Sequence, residues 1–156
     1  MTEGYHYTAC GLDYVYLQDG YRVREGKHGP SLSITDATGL HEAIARAVIA
    51  SPARLRGQEV RFLRSQLNLS QDGLARALRT RRGSVARWEA EPNKAIPGPA
   101  DAALRMFYAL KAEKHEVAEK IADLLGEIDE LEHKIAVMEH AKFSKDGSGE
   151  WTKEAA

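Results

Sequence analysis

Residues 69–89 read LSQDGLARALRTRRGSVARWE, and this stretch decides the fold of the middle of the chain. Ser70 is well placed as a helix N-cap, and a three-residue turn at 79–81 separates the first helical pattern from a second one over 82–90. In both patterns apolar residues recur at helical spacing, namely Leu74, Ala75, Leu78, Val85 and Trp88. With the helical pattern QEVRFLRSQL before it, the stretch predicts a helix-turn-helix within a group of short helices.

Arginine is concentrated in the same part of the chain. The formal net charge of the 156 residues is −1, yet residues 54–87 hold nine arginines against Glu59 and Asp72, a net charge of +7. Residues 111–156 hold seven lysines against twelve acids, a net charge of −5. Local potential steers association, and the planar guanidinium group suits phosphate and guanine. We therefore expect the middle of the chain to bind double-stranded DNA.

The stretch 69–89 resembles the helix-turn-helix of the Xre/Cro repressor family, whose usual form is LSQ, a helix with a central alanine, a turn, and a helix ending in R-W-E. Such a motif places its recognition helix in the major groove of DNA. The resemblance implies that Ala75 lies where the two helices approach each other closely. It also implies contacts to phosphate or a base edge from Gln71, to phosphate from Thr80 and Arg81, and to base edges from Arg82, Ser84 and Arg87.

Two positions differ from the family pattern. Gly73 stands where a capping-box acid is common, and Arg81 replaces the usual Ser or Thr cap of the recognition helix. Gly83, in the first turn of that helix, would let the backbone approach DNA closely, at a cost of up to about 1 kcal/mol in helix stability.

Residues 1–52 predict a β-rich module with one helix. YVYLQ (14–18) and YRVRE (21–25) flank Asp19-Gly20, a dipeptide typical of a two-residue hairpin turn, so these two runs are expected to pair. Further elements are predicted for SLSIT at 31–35 and YHYTA at 5–9 as strands, for about 39–50 as a helix, and for Ser51-Pro52 as the start of a linker. Pro99 is expected at the first position of the helix after the helix-turn-helix.

The order of these parts resembles the MqsA (YgiT-type) antitoxin family, in which the N-terminal module binds structural zinc through two CxxC pairs and neutralises an RNase toxin. This chain has one cysteine, Cys10, whereas a structural zinc site needs four ligands, usually in close pairs. His6 and Cys10 are too far apart along a strand to chelate together. We expect neither a metal nor a cofactor, and the resemblance keeps a toxin partner at the N-terminal module as an alternative.

Residues 111–140 carry a heptad repeat with isoleucine at position a and leucine or methionine at position d, typical of a parallel two-stranded coiled coil. The repeat consists of Val117, Ile121, Leu124, Ile128, Leu131, Ile135 and Met138. We expect this helix to form a homodimer, while antiparallel pairing, a helical hairpin and packing on the N-terminal module stay open. Residues 141–156 have the composition of a mobile tail.

The sequence thus predicts an α+β protein with a module at 1–52, a helix-turn-helix domain at 53–110, a dimerisation helix at 111–140 and a tail at 141–156. It contains no run of roughly 18 apolar residues, no signal-peptide h-region and no second cysteine, so a cytoplasmic, nucleoid-associated protein is expected. It also contains no nucleophile elbow, HExxH or GxGxxG motif, so no enzymatic activity is expected.

The function predicted is that of a sequence-specific transcriptional regulator, which binds a palindromic operator as a homodimer through residues 82–90. Two alternatives remain at this point. One is an antitoxin that neutralises a toxin through its N-terminal module and autoregulates its operon. The other is a coiled-coil adaptor with a vestigial helix-turn-helix, against which the density of arginine argues.

Overall fold

The computed structural model describes residues 4–112, 143–145, 147–149 and 151–153. The chain divides into two compact units, residues 1–126 and 127–156. The predicted coiled-coil repeat from Val117 to Met138 lies outside the described residues. Within the described ranges, no helix has the length and apolar character needed to cross a membrane.

The first unit begins with four short strands and continues with five helices, which agrees with the predicted mixture of α and β structure. The elements are β1 (Tyr5–His6), β2 (Tyr16–Leu17), β3 (Tyr21–Gly26), β4 (Gly29–Ile34), α1 (Ala37–Ala50), α2 (Gly57–Gln66), α3 (Gln71–Ala77), α4 (Arg82–Ala90) and α5 (Gly98–Ala112).

The predicted hairpin through Asp19-Gly20 is wrong. β2 pairs with β1, so that Tyr5 lies opposite Leu17, and β3 pairs with β4 in an antiparallel two-stranded sheet. The runs on either side of Asp19-Gly20 therefore belong to different sheets. The two other predicted strands are present, because SLSIT lies mostly in β4 and YHYTA begins with β1.

Positive φ angles explain why the sequence predicted the wrong pairing of the strands. Gly20 has φ 76°, so the chain does bend at the predicted dipeptide. The two-residue turn between β3 and β4 is instead Lys27-His28, and it is followed by Gly29 with φ 102°. A glycine with positive φ marks where a chain turns, but contacts between strands decide which of them pair.

The helices agree closely with their local signals. α1 ends at Ala50 as predicted and begins at Ala37, two residues before the predicted start, where Oδ1 of Asp36 accepts a hydrogen bond from the Gly39 N–H at 3.1 Å. Ser70 caps α3 as predicted, with its Oγ 3.0 Å from the Gly73 nitrogen. α4 covers 82–90, the predicted range. Pro99 is the second residue of α5 and not the first, because that helix begins at Gly98.

One hydrophobic core joins the two predicted N-terminal segments. Leu12 and Ala45, from the β-rich module, are fully buried in the same cluster as Leu63 of α2, Leu74 of α3 and Val85 of α4. Residues before and after the predicted linker therefore share apolar surface, and the module packs directly on the helices.

The linker itself is held by α5. Arg105 donates hydrogen bonds to the carbonyl oxygens of Ile49, Ser51 and Ala53 at 2.9, 2.5 and 2.6 Å, and its Nε lies 2.7 Å from Asp101 Oδ1. Asp101 Oδ2 also accepts a hydrogen bond from the Leu55 N–H at 2.7 Å. Burial raises the pKa of Asp101, but the hydrogen bonds from Arg105 and from the Leu55 N–H outweigh it, so this pKa lies below its ordinary value.

The second unit contains a short antiparallel hairpin in the segment predicted to be a mobile tail. It is formed by β5 (Phe143–Lys145) and β6 (Trp151–Lys153), with Phe143 opposite Lys153. The sequence signal for it was an aromatic residue on each side of the DGSG turn at 146–149.

Candidate nucleic-acid interface

The predicted recognition helix α4 has one inward and one outward face. Val85 is fully buried, Trp88 is half-buried and packs against the core, and the Glu89 side chain is 6% exposed. On the other side of the helix, Gly83 and Arg87 are exposed, and Arg82 is exposed in the first turn. The apolar spacing that predicted the helix therefore also turns its arginines outward.

The turn before α4 is set by backbone geometry. Arg79 has φ 57°, and the Thr80 N–H donates a hydrogen bond to the Ala75 carbonyl at 2.8 Å. Ala75 is 2% exposed in the core cluster that includes Leu74 of α3 and Val85 of α4, where a small side chain permits close packing. Arg81 caps α4 without a side-chain hydrogen bond, so its guanidinium group is not used to cap the helix.

The six predicted DNA-binding residues are distributed over α3 (Gln71), the turn (Thr80 and the N-cap Arg81) and α4 (Arg82, Ser84 and Arg87). Arg81, Arg82 and Arg87 are exposed, whereas Gln71, Thr80 and Ser84 are half-buried. Arg82 and Arg87 are separated by about 140° around the helix axis, since each residue turns an α-helix by about 100°. Arg87 therefore follows Gly83 and Ser84 by one turn and does not lie directly above Arg82 as expected.

The charges of this surface are not neutralised by the described part of the protein. Within residues 4–112, none of Arg79, Arg81, Arg82 and Arg87 forms an ion pair with a described acid. By contrast, Arg76 on α3 lies 3.6 Å from Asp72. The turn and the outward face of α4 thus present four guanidinium groups to an anionic partner.

An ion pair that the sequence analysis did not single out holds α4 in place. Arg64 on α2 donates two hydrogen bonds to Glu89, from Nε at 2.8 Å and from Nη2 at 2.7 Å, and a third from Nη1 to the Leu69 carbonyl at 3.0 Å. The hydrogen bond to Glu89 raises the pKa of Arg64 above its ordinary value. In the sequence Arg64 was only one of nine arginines, and nothing local distinguished it.

A close backbone contact joins the start of α2 to the end of α4. A Cβ atom on Gly57 would lie 2.0 Å from the Trp88 carbonyl oxygen and 2.6 Å from that of Glu91. The Gly57 N–H also donates a hydrogen bond to the Lys94 carbonyl at 3.2 Å. Glycine is required here because no side chain fits between the two segments.

The two residues weighed as metal ligands have other contacts. His6 Nε2 lies 2.7 Å from the Asp13 carbonyl oxygen, and its ring stacks on Tyr16. The Cys10 thiol lies 3.7 Å from the Tyr7 carbonyl oxygen. Among the residues that the structure describes, no three or more His, Cys, Asp or Glu side chains are grouped so that they could hold a metal ion.

Comparison with protein-family models, with curated proteins and with solved structures found no match to this chain.

Proposed function

We propose that this protein is a sequence-specific DNA-binding transcriptional regulator that inserts α4 into the major groove. The observation that carries the proposal is the division of α4 into a buried face, braced by Arg64 and Glu89, and an exposed face with arginines that have no described counter-ion. A rigid helix that presents unpaired guanidinium groups is suited to read base edges.

In this proposal the residues of this surface have different roles. Arg87 forms two hydrogen bonds to the major-groove edge of a guanine, and Arg82 and Ser84 contact neighbouring bases. Arg81 and Thr80, at the turn, hold phosphate, and Gln71 at the first position of α3 contacts phosphate or a base edge. Gly83 lets the backbone of the first turn approach the DNA.

We further propose that the protein acts as a homodimer on a palindromic operator. The support is the heptad repeat over residues 117–138, which favours self-association. A two-fold dimer would require half-sites about one helical turn, or a small multiple of it, apart.

The proposal is tested by fluorescence-anisotropy titrations with DNA from upstream of the protein's own gene and with a scrambled duplex, over a series of salt concentrations. We expect Arg87→Ala to lose about 1–3 kcal/mol of the preference for the specific duplex and to retain most of its nonspecific binding. Arg81→Ala should weaken binding to both duplexes and lower the salt slope by about one.

Arg76→Ala is the matched control, because Arg76 lies on α3, is exposed and is paired with Asp72. The proposal fails if wild type and Arg87→Ala bind both duplexes weakly, equally and with the same salt slope. In that case the arginines contribute only a nonspecific attraction to DNA phosphates. The alternative, a protein partner bound by the N-terminal module, would then be favoured.

A further inference from the structure

A cavity of about 660 Å³ lies between the N-terminal module and the start of the helix-turn-helix domain. Its walls come from the loop after β1, from α1, from the linker and from the first turn of α2. The apolar part of the wall consists of Val15, Ile44, Ala47, Val48 and Leu55. Such a volume and lining are typical of sites for small organic molecules.

One end of this cavity holds a buried carboxylate with an unused oxygen. The side chain of Glu59 is 8% exposed, and its Oε1 accepts a hydrogen bond from Arg56 Nε at 3.0 Å. Its Oε2 is buried and has no hydrogen-bond donor among the described residues. A buried acceptor without a donor is unfavourable and is rare in folded proteins. A hydrogen bond from a donor to this oxygen would therefore be favourable.

Two other side chains line the cavity together with Glu59. Arg56 lies over the ring of Tyr14, with its guanidinium carbon 5.6 Å from the ring centroid. Tyr14 is 45% exposed. Burial, and next the charge of Glu59, raise the pKa of Tyr14 to about 12, so its hydroxyl keeps its proton at neutral pH.

We propose that this cavity binds a small amphipathic molecule, with an apolar body against α1 and the linker and with an N–H or O–H group that donates a hydrogen bond to Glu59 Oε2. The class of ligand follows from the lining, because the apolar walls select an apolar body and the orphan acceptor selects a donor. A carboxylate on the same body has no N–H or O–H at neutral pH to donate to Glu59 Oε2, and it would instead pair with Arg54 or Arg56, which also line the cavity.

A ligand bound in this cavity is positioned to affect the proposed DNA-binding surface. Arg56 forms a β-bridge with Ala95 in the loop after α4, and the adjacent Gly57 contacts the end of α4. A ligand that moves Arg56 therefore acts on the segment that supports the recognition helix. This regulatory consequence rests on the proposed DNA-binding function, whereas the ligand site does not.

The site is tested without DNA by NMR titration of the isotope-labelled full chain with three probes of matched shape: 2-phenylethylamine, 2-phenylethanol and 3-phenylpropionate. We expect saturable shifts of amides around the cavity with the amine and the alcohol at millimolar concentration, and no loss of 3-phenylpropionate binding in Glu59→Gln, because a carboxylate makes no hydrogen bond to Glu59. Glu59→Gln should weaken amine binding by about tenfold or more, since a hydrogen bond to a charged acceptor is lost.

A second variant keeps the test valid if Glu59→Gln does not fold. Ala47 is exposed on α1 and lines the cavity, so Ala47→Trp should fill it and abolish binding of the amine and the alcohol. Ala43→Trp is the matched control, because Ala43 is also exposed on α1 but is not part of the cavity wall.

Three results would overturn the proposal. They are the absence of binding by both donor probes, an equal weakening of amine and 3-phenylpropionate binding by Glu59→Gln, and an equal effect of Ala47→Trp and Ala43→Trp. Because DNA is absent from the titration, failure of the ligand site leaves the proposed DNA-binding function untouched.

Discussion

Arg64 supplies two hydrogen bonds to the buried side chain of Glu89. The pair joins α2 to α4 at 2.7 and 2.8 Å, and the side chains are 18% and 6% exposed, respectively. A buried pair of this kind contributes little net stability compared with apolar residues, but removing one partner leaves an uncompensated charge. Its role here is to set the position of α4.

We therefore expect Arg64→Met to lower the free energy of unfolding by about 3–5 kcal/mol, because Glu89 would remain buried without its partner. Arg76→Met is the control, since the Arg76–Asp72 pair is 69% and 61% exposed and should matter little. Urea denaturation at neutral pH measures both. Equal midpoints for the two variants would contradict the role assigned to Arg64.

Asp101 should make the free energy of unfolding depend on pH under acidic conditions. Its pKa lies below the ordinary value of 3.8, because the hydrogen bonds from Arg105 and from the Leu55 N–H outweigh the effect of burial. A lowered pKa in the folded state means that the stabilisation is complete above the ordinary value and is lost as pH falls through the folded value.

Asp101→Asn should thus be less stable than wild type at about pH 6, and the difference should narrow at about pH 3. Urea midpoints at the two pH values check this expectation. A difference that stays constant with pH would show that the charge of Asp101 is not what stabilises the linker.

At the scale of the elements, the helices were more predictable than the strands. Ser70 and the spacing of Leu74, Val85 and Trp88 lie within the segments that they define, so local sequence was enough to predict α3 and α4. Asp19-Gly20 predicted a bend that exists, yet the partners of β2 and β3 were wrong. Strand pairing depends on residues distant in the chain, which no local signal reports.

Adding a methyl group should have opposite effects on stability at Gly57 and at Gly83. We expect Gly57→Ala to cost about 1–3 kcal/mol of stability, because its Cβ would meet two backbone carbonyl oxygens that cannot move independently. Gly83→Ala should instead gain up to about 1 kcal/mol, because its Cβ meets no atom within 4 Å and alanine favours the helix.

Thermal or urea denaturation measures both changes. If Gly83 admits the DNA backbone as proposed, Gly83→Ala should also weaken DNA binding in the anisotropy assay, although it stabilises the fold. A stabilised variant with unchanged affinity would remove Gly83 from the proposed interface.

At the scale of the molecule, the N-terminal module and the helix-turn-helix share one core. Leu12, in the loop after β1, is 0% exposed, as are Leu63 of α2 and Val85 of α4 in the same cluster. The linker between the predicted segments is also fastened to α5 through Arg105. These contacts predict that residues 4–112 unfold as one unit.

Leu12→Ala should accordingly lower the free energy of unfolding by about 2–5 kcal/mol, and the helical circular-dichroism signal should be lost in a single transition. Leu32→Ala is the control, because Leu32 lies half-buried on β4 outside the hydrophobic core clusters. If Leu12→Ala leaves the midpoint of the helical signal unchanged, the module folds independently of the helices.

The sequence by itself determined α3, α4, the turn between them and the outward arginines, because caps and 3.6-residue periodicity act within a few positions of the residues that carry them. Only the tertiary structure decided the strand pairing, the Arg64–Glu89 brace, the close contact at Gly57 and the cavity beside Glu59. Each of these joins residues from segments distant in the chain, and which distant segments meet is set by the packing of the whole core.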